Sequence, residues 1–157
     1  MGIKTGELVV RRSIVISAPP ERVWQEFESF ERMKRWWSTD KPDRKETLSR
    51  YEPRLGGAMR MEIESGGQTI RFVCRITAFD PPTELTFELD WPERGWAAPT
   101  VVSVRLTPNQ YGTLVEISHY GFERIGADAL DQFHGFGGGW DLRELESLKA
   151  AVEGARV

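Results

Sequence analysis

Apolar and polar positions alternate through the middle of the chain, whereas both flanks carry apolar residues at the spacing of helices. The period of two from Val9 to Ser17 predicts a first strand. The proline pair Pro19-Pro20 ends that strand, because proline fits the first turn of a helix better than a strand interior. Two short helices are then predicted, one carrying Val23, Trp24, Phe27 and Phe30 and one from Glu31 to Trp37.

Six further strands are predicted as a meander that ends near His119. The polar segment Ser38 to Thr47 holds Pro42 and is predicted to be a loop, with the first of these strands over Leu48 to Arg54. Turn residues such as the glycine pair after Ser65 separate the strands. The alternating apolar positions expected to share the inner face include Met61, Ile63, Ile70, Phe72, Cys74, Ile76, Leu85, Phe87, Leu89, Val102, Val104, Leu106, Val115 and Ile117.

From Ala127 onward the apolar spacing returns to that of one long amphipathic helix. The order of elements predicts an α+β domain with a curved seven-stranded antiparallel sheet wrapped around this C-terminal helix, and two short helices between strands 1 and 2. A twisted sheet that curls over a single helix tends to enclose a hollow. A small-molecule site between sheet and helix is therefore the first functional hypothesis.

Composition narrows the functional classes. The chain has 157 residues with a net charge of −3, and its charges are interspersed, which argues against a nucleic-acid footprint or steering towards anionic membranes. No apolar run reaches the roughly 20 residues that a membrane helix requires. Cys74 is the only cysteine, and the N-terminus has no apolar signal segment, so we expect one cytoplasmic domain over residues 1–157.

Several short motifs follow one another in a characteristic order: Ile14 to Trp24, Trp36-Trp37, Gly56-Gly57, Asp80 to Leu85, Gly112 to His119, and Gly139-Trp140 with Leu145 and Leu148. Through them, about residues 10 to 153 resemble the START and birch-pollen-allergen (SRPBCC) superfamily, in the branch named after the activator of the 90-kDa heat-shock protein ATPase. The resemblance implies a helix-grip fold and a START-like ligand-binding domain. It does not select a function, since this superfamily includes carriers, receptors, cyclases and co-chaperones.

Gly137 to Gly139 depart from that pattern, in which one glycine is usual. Each glycine inside a helix costs about 1 kcal/mol relative to alanine, so the run predicts a kink or a short interruption. Alternatively, Gly137 lies on the apolar side of the helix, where a missing side chain would leave space for a ligand. Replacing Gly137 by leucine would then weaken binding.

His119 and two acidic residues are the candidate polar groups. His119 shares the inner face of the last strand, either as a hydrogen-bonded core residue or as a polar anchor in an apolar pocket. Asp141 and Glu144 fall within the apolar stripe of a regular helix, so either they are paired or the helix is rotated. The chain has 2 histidines and 1 cysteine and no nucleophile, phosphate or dinucleotide motif, so we predict no metal, cofactor or catalytic residue.

The favoured hypothesis is a noncatalytic binding or carrier domain for a small apolar or amphipathic molecule. The predicted cavity lining is Met61, Phe72, Cys74, Phe87, Leu89, Val104, Ile117, His119, Phe133, Gly137 and Trp140. One alternative is a cyclase- or hydrolase-like enzyme that uses His119 with a carboxylate. Another is a co-chaperone-like module that binds protein through the outer sheet face. An edge strand also permits a homodimer, although nothing in the sequence specifies one.

Overall fold

One antiparallel sheet with strand order β1-β8-β7-β6-β5-β4-β3-β2 organises the computed structural model, which describes residues 8–139 and 143–154. The strands are β1 Val10–Ile16, β2 Thr39–Lys41, β3 Arg44–Tyr51, β4 Ala58–Ser65, β5 Gln68–Asp80, β6 Glu84–Asp90, β7 Thr100–Asn109 and β8 Gly112–Tyr120. The helices are α1 Pro20–Trp24, α2 Phe30–Trp37, α3 Ala129–Gly139 and α4 Arg143–Glu153. Short 3₁₀ helices cover Gln25–Phe27, Pro92–Arg94 and Phe122–Arg124.

The predicted α+β class and the alternation of the strands are confirmed. In β5, Phe72, Cys74 and Ile76 are buried while their neighbours along the strand are exposed. The same period buries the predicted inward residues of β7 and β8. The seven longer strands correspond to the seven predicted ones, because each carries enough apolar side chains on one face to show the period of two.

The predicted loop from Ser38 to Thr47 is wrong in part. A three-residue strand, β2, turns at Pro42-Asp43 and pairs with the beginning of β3, which starts at Arg44. The β3 strand also ends at Tyr51, before the predicted Arg54. This hairpin forms the edge of the sheet, where polar side chains are common and the alternation that identifies buried strands is weak.

The two short helices between β1 and β2 differ in detail from the predicted ones. The first helix changes from α to 3₁₀ geometry after Trp24. The second begins at Phe30, one residue earlier than predicted, because Ser29 caps it: the Ser29 hydroxyl accepts a 3.2 Å hydrogen bond from the Arg32 amide.

The C-terminal helical region covers the first strand. Helix α4 packs against α2 and β1 and buries Leu145 and Leu148. Its Glu153 carboxylate accepts a 2.7 Å hydrogen bond from the amide of Ser17, at the end of the β1 edge. Gly137 to Gly139 are the last residues of α3. Residues 140–142 lie outside the described residues, so the predicted interruption of the helix stays a prediction.

Glu26 joins the helices that cover the sheet. Its side chain is only 1% exposed and lies 2.8, 2.9 and 3.1 Å from Arg22, Arg32 and Arg35. The backbone carbonyl of Glu26 also accepts a 3.0 Å hydrogen bond from the indole of Trp36. One buried carboxylate thus connects α1 to α2, and each guanidinium keeps an exposed side through which water solvates it.

Replacing Glu26 by glutamine should lower the free energy of unfolding by about 2 kcal/mol, since it removes charge-assisted hydrogen bonds to three guanidinium groups. Urea denaturation of the two proteins measures the difference. Glu28→Gln is the control, because Glu28 is exposed in the same segment and should change stability little. Equal effects of the two substitutions would contradict a stabilising role for Glu26.

Candidate functional site

A cavity of about 230 Å³ lies between the β3–β6 side of the sheet and residues of α2, α3 and α4. Its apolar lining consists of Trp37, Met61, Ile63, Ile70, Phe72, Leu89, Trp91 and Phe136, with Gly135 beside them. Its polar lining consists of Arg44, Glu46, Thr47, Ser65, Gln132 and Glu144. The volume is somewhat below the roughly 300–1,000 Å³ of drug-sized sites, and the mixture of surfaces is typical of a small-molecule pocket.

Aromatic rings form much of the apolar wall. Phe72 lies 5.6 Å from Trp91 and 5.5 Å from Phe136 between ring centroids. Trp96 packs behind these rings, 6.1 Å from Trp91 and 6.4 Å from Phe136. These edge-to-face and tilted contacts hold the rings in place, which gives the wall a defined shape.

The sheet register brings the wall residues of neighbouring strands together. Glu46 of β3 is paired with Ile63 of β4, which is paired with Ile70 of β5. Met61 is paired with Phe72 in the adjacent row, and its Sδ accepts a 2.8 Å hydrogen bond from the Trp37 indole. Side chains directly opposite each other on one face of a sheet are close neighbours, so this register places a carboxylate beside apolar residues.

Among the described residues, three charged side chains line the polar part of the cavity. The Nε of Arg44 lies 3.3 Å from Oε1 of Glu46, and these side chains are 23% and 18% exposed. Glu144 enters from α4 and is 1% exposed. Arg44 and Glu46 reach the cavity because they share the inward face of β3 with Leu48.

The structure separates the predicted lining residues into groups. Met61, Phe72 and Leu89 lie in the cavity wall. Phe133 is partly buried against Phe122, with ring centroids 5.6 Å apart. Gly137 is near the end of α3, and Trp140 lies outside the described residues. The remaining predicted residues are buried but are not among the described residues that line the cavity: Cys74, Phe87, Val104, Ile117 and His119. Ligand contact by any of them stays a prediction.

Sequence reasoning missed Arg44 and Glu46 because they fell in the predicted loop. No alternation of apolar and polar residues marked them, since every position from Arg44 to Thr47 is polar. Gly135 and Phe136 of α3 were also not predicted, because the apolar spacing did not define how that helix is rotated about its axis against the sheet.

His119 lies one layer behind the cavity wall. Its side chain is fully buried, with ring centroids 4.6 Å from those of both Phe122 and Phe136. Nε2 lies within hydrogen-bond distance, 2.7 Å, of the Thr100 hydroxyl, which is also 3.2 Å from the Leu89 carbonyl oxygen. Burial lowers the pKa of His119 to about 3. A general base works best with a pKa near the working pH, so this geometry does not favour the enzyme hypothesis.

Other chemistry-bearing groups are few among residues 8–139 and 143–154. Within those ranges no group of three His, Cys, Asp or Glu side chains is arranged to hold a metal ion. Burial raises the pKa of the Cys74 thiol, which keeps it in the unreactive protonated form. No helix in the described part of the chain is long and apolar enough to cross a membrane.

Comparison with known proteins gives a family match and many structural neighbours. The family described as Activator of Hsp90 ATPase homolog 1-like protein matches residues 17–153. No curated protein matches the chain.

Three solved structures represent the structural neighbours. A crystal structure from Chromobacterium violaceum is 23% identical with a TM-score of 0.70, covering 94% of this chain and 98% of that one. One from Nitrosomonas europaea is 16% identical with a TM-score of 0.71 and covers 99% of both chains. A solution structure of an AHSA1-like protein from Aeromonas hydrophila is 22% identical with a TM-score of 0.64, covering 94% of each chain. At these identities the likeness concerns the fold alone.

Stability should depend on pH through His119. Because its folded pKa of about 3 lies below the ordinary value of 6.5, only the unfolded chain takes up this proton as the pH falls below 6.5. The neutral His119 side chain therefore contributes fully to stability above about pH 6.5, and this contribution is lost as the pH falls towards 3. Between about pH 8 and about pH 5 the free energy of unfolding should fall by about 2 kcal/mol through this group.

Urea denaturation at both pH values measures this loss. His119→Gln should lack that part of the pH dependence, whereas His134→Gln, at an exposed position of α3, should retain it. A wild-type pH dependence in His119→Gln would contradict the assignment.

Proposed function

Since the chain belongs to the family of Activator of Hsp90 ATPase homolog 1-like proteins, whose fold suits ligand or protein binding, we propose that it is a binding or carrier domain for a small amphipathic molecule. The observation that carries the proposal is the cavity between the sheet and the helices, which joins a continuous apolar wall to a set of polar side chains. Apolar surface provides affinity in such sites, and the few polar groups fix orientation.

The dimensions of the cavity restrict its ligand. A volume of about 230 Å³ lies near the lower end of the range for small-molecule sites. This suits a short alkyl chain or a small aromatic molecule. It does not suit a lipid with two full acyl chains, which would have to leave most of its apolar surface in water.

Protein binding is the competing function for this fold, and the described surface favours it less. A co-chaperone-like module needs a contiguous apolar patch of several hundred Å². The described residues expose five large apolar side chains, and each comes from a different element or turn: Val15, Leu55, Val73, Tyr111 and Leu130.

Gly135 offers a direct test of the cavity. It lines the cavity from α3, and a Cβ built there meets nothing within 4 Å. Because the Cβ is accommodated, we expect Gly135→Leu to occupy part of the cavity and to weaken binding of the neutral fluorescent probe N-phenylnaphthylamine by about tenfold or more. The same change should raise the free energy of unfolding by about 0.8 kcal/mol, because leucine favours a helix more than glycine does.

His134→Leu is the matched control, since His134 is exposed on the same helix and does not line the cavity. It should leave probe binding unchanged. Fluorescence titration of the three proteins gives the affinities, and urea denaturation gives the stabilities. A stably folded Gly135→Leu variant with wild-type affinity would contradict ligand binding in this cavity.

A further inference from the structure

Gln132 is an uncharged polar side chain of the cavity lining, and a hydrogen bond holds its amide in one orientation. It lies in α3 and is half-buried. Its Nε2 donates a 3.1 Å hydrogen bond to Oδ2 of Asp128. Asp128 immediately precedes the first residue of α3 and does not belong to the described lining. The amide therefore extends from the cavity to a carboxylate outside it.

The Arg94 guanidinium holds that carboxylate in place. Its Nε and Nη2 lie 2.8 and 3.1 Å from Oδ2 and Oδ1 of Asp128, which is a two-point contact. Arg94 also lies over the ring of Trp91 in the cavity wall, 5.4 Å from the ring centroid. The hydrogen bonds from Arg94 hold the pKa of Asp128 below its ordinary value, so the carboxylate is ionised at neutral pH.

The chemistry of the carboxylate decides how the Gln132 amide is oriented. An ionised carboxylate only accepts hydrogen bonds, so Gln132 must turn its NH₂ group towards Asp128. The opposite amide atom, Oε1, has no hydrogen-bond partner among the described residues and is accessible. What remains of the amide is two lone pairs on Oε1 and one N–H, so it is mainly an acceptor.

The other uncharged polar side chains of the lining impose no such preference. Thr47 and Ser65 carry hydroxyl groups, which both donate and accept hydrogen bonds and rotate to suit a partner. Gln132 is thus the uncharged group of the described lining whose hydrogen-bonding direction is fixed by its surroundings.

From this geometry we propose that Gln132 determines ligand specificity: its Oε1 accepts a hydrogen bond from a hydroxyl or amide N–H group of the amphiphile, and Asp128 and Arg94 are positioning residues. This inference rests on the proposed function and adds the hydrogen-bonding class of the ligand. An ether, whose oxygen only accepts, would displace water from Oε1 without supplying a donor. A polar group left unmatched in this way costs binding free energy.

Two isomers test the preference, octanol and 1-methoxyheptane, because they contain the same atoms and only the alcohol has a donor. Displacement of N-phenylnaphthylamine, followed by fluorescence, gives the affinity of each. The readout is the ratio of octanol to 1-methoxyheptane affinity, in which the similar apolar contributions largely cancel. The wild-type protein should bind octanol about threefold or more tightly, as one net hydrogen bond predicts.

Three substitutions locate the origin of this ratio. Gln132→Met keeps the length of the side chain and removes the amide, so the ratio should fall about threefold or more. Asp128→Asn should also lower the ratio, because the new amide can donate to Oε1 and turn the Gln132 NH₂ group towards the ligand. Asp131→Asn is the matched control, since it removes the same charge at an exposed position of α3 and should preserve the ratio.

The outcomes separate this inference from the proposed function. Binding of both isomers without a preference for octanol would overturn the inference and leave the binding function standing. A wild-type ratio in folded Gln132→Met or folded Asp128→Asn would overturn it as well, and Asp128→Asn provides the test if Gln132→Met does not fold. A purely structural role of Asp128 would weaken both isomers equally and preserve the ratio. Failure of the wild-type protein to bind N-phenylnaphthylamine or either isomer would overturn both proposals.

Discussion

The need to shield the inner face of one long antiparallel sheet governs this structure. Alternate side chains of every long strand point to that face, and the burial of this apolar surface is the main stabilising term of such a domain. Helices α2 and α4 cover one region of it, and the buried carboxylate of Glu26 joins α1 to α2. Beside β3 to β6 the helices do not fill the space completely, and the cavity is the volume that remains.

How much could be predicted from the sequence depended on which physical signal each element carries. The central strands could be predicted because residues such as Phe72 and Ile117 repeat every second position on a buried face. The edge hairpin could not, because Arg44 and Glu46 put charge on its inward positions and so removed the apolar signal. The contribution of α3 to the cavity depends on how that helix rotates against the sheet, which tertiary packing decides.

His119 and Glu144 show how far a sequence pattern predicts the surroundings of a polar side chain. Sequence alternation placed His119 on the inner face, and helical spacing placed Glu144 in an apolar stripe, so both were expected to be inward. The structure gives them different surroundings. His119 is neutral, bonded to Thr100 and enclosed by phenylalanine rings, whereas Glu144 lies at the cavity itself. A one-dimensional pattern distinguishes inside from outside, but it does not distinguish a filled part of the interior from a hollow part.

The most direct test of the central claim, that a small amphiphile binds in this cavity, is a ¹H–¹⁵N spectrum of the tryptophan indoles during titration with the uncharged amphiphile octanol. Trp37 and Trp91 line the cavity, whereas Trp24 packs against Phe27 and Phe79 elsewhere in the core. The indole signals of Trp37 and Trp91 should shift together along one saturable curve while that of Trp24 stays in place. Unchanged Trp37 and Trp91 signals at saturating probe, or equal shifts of all three signals, would contradict the claim.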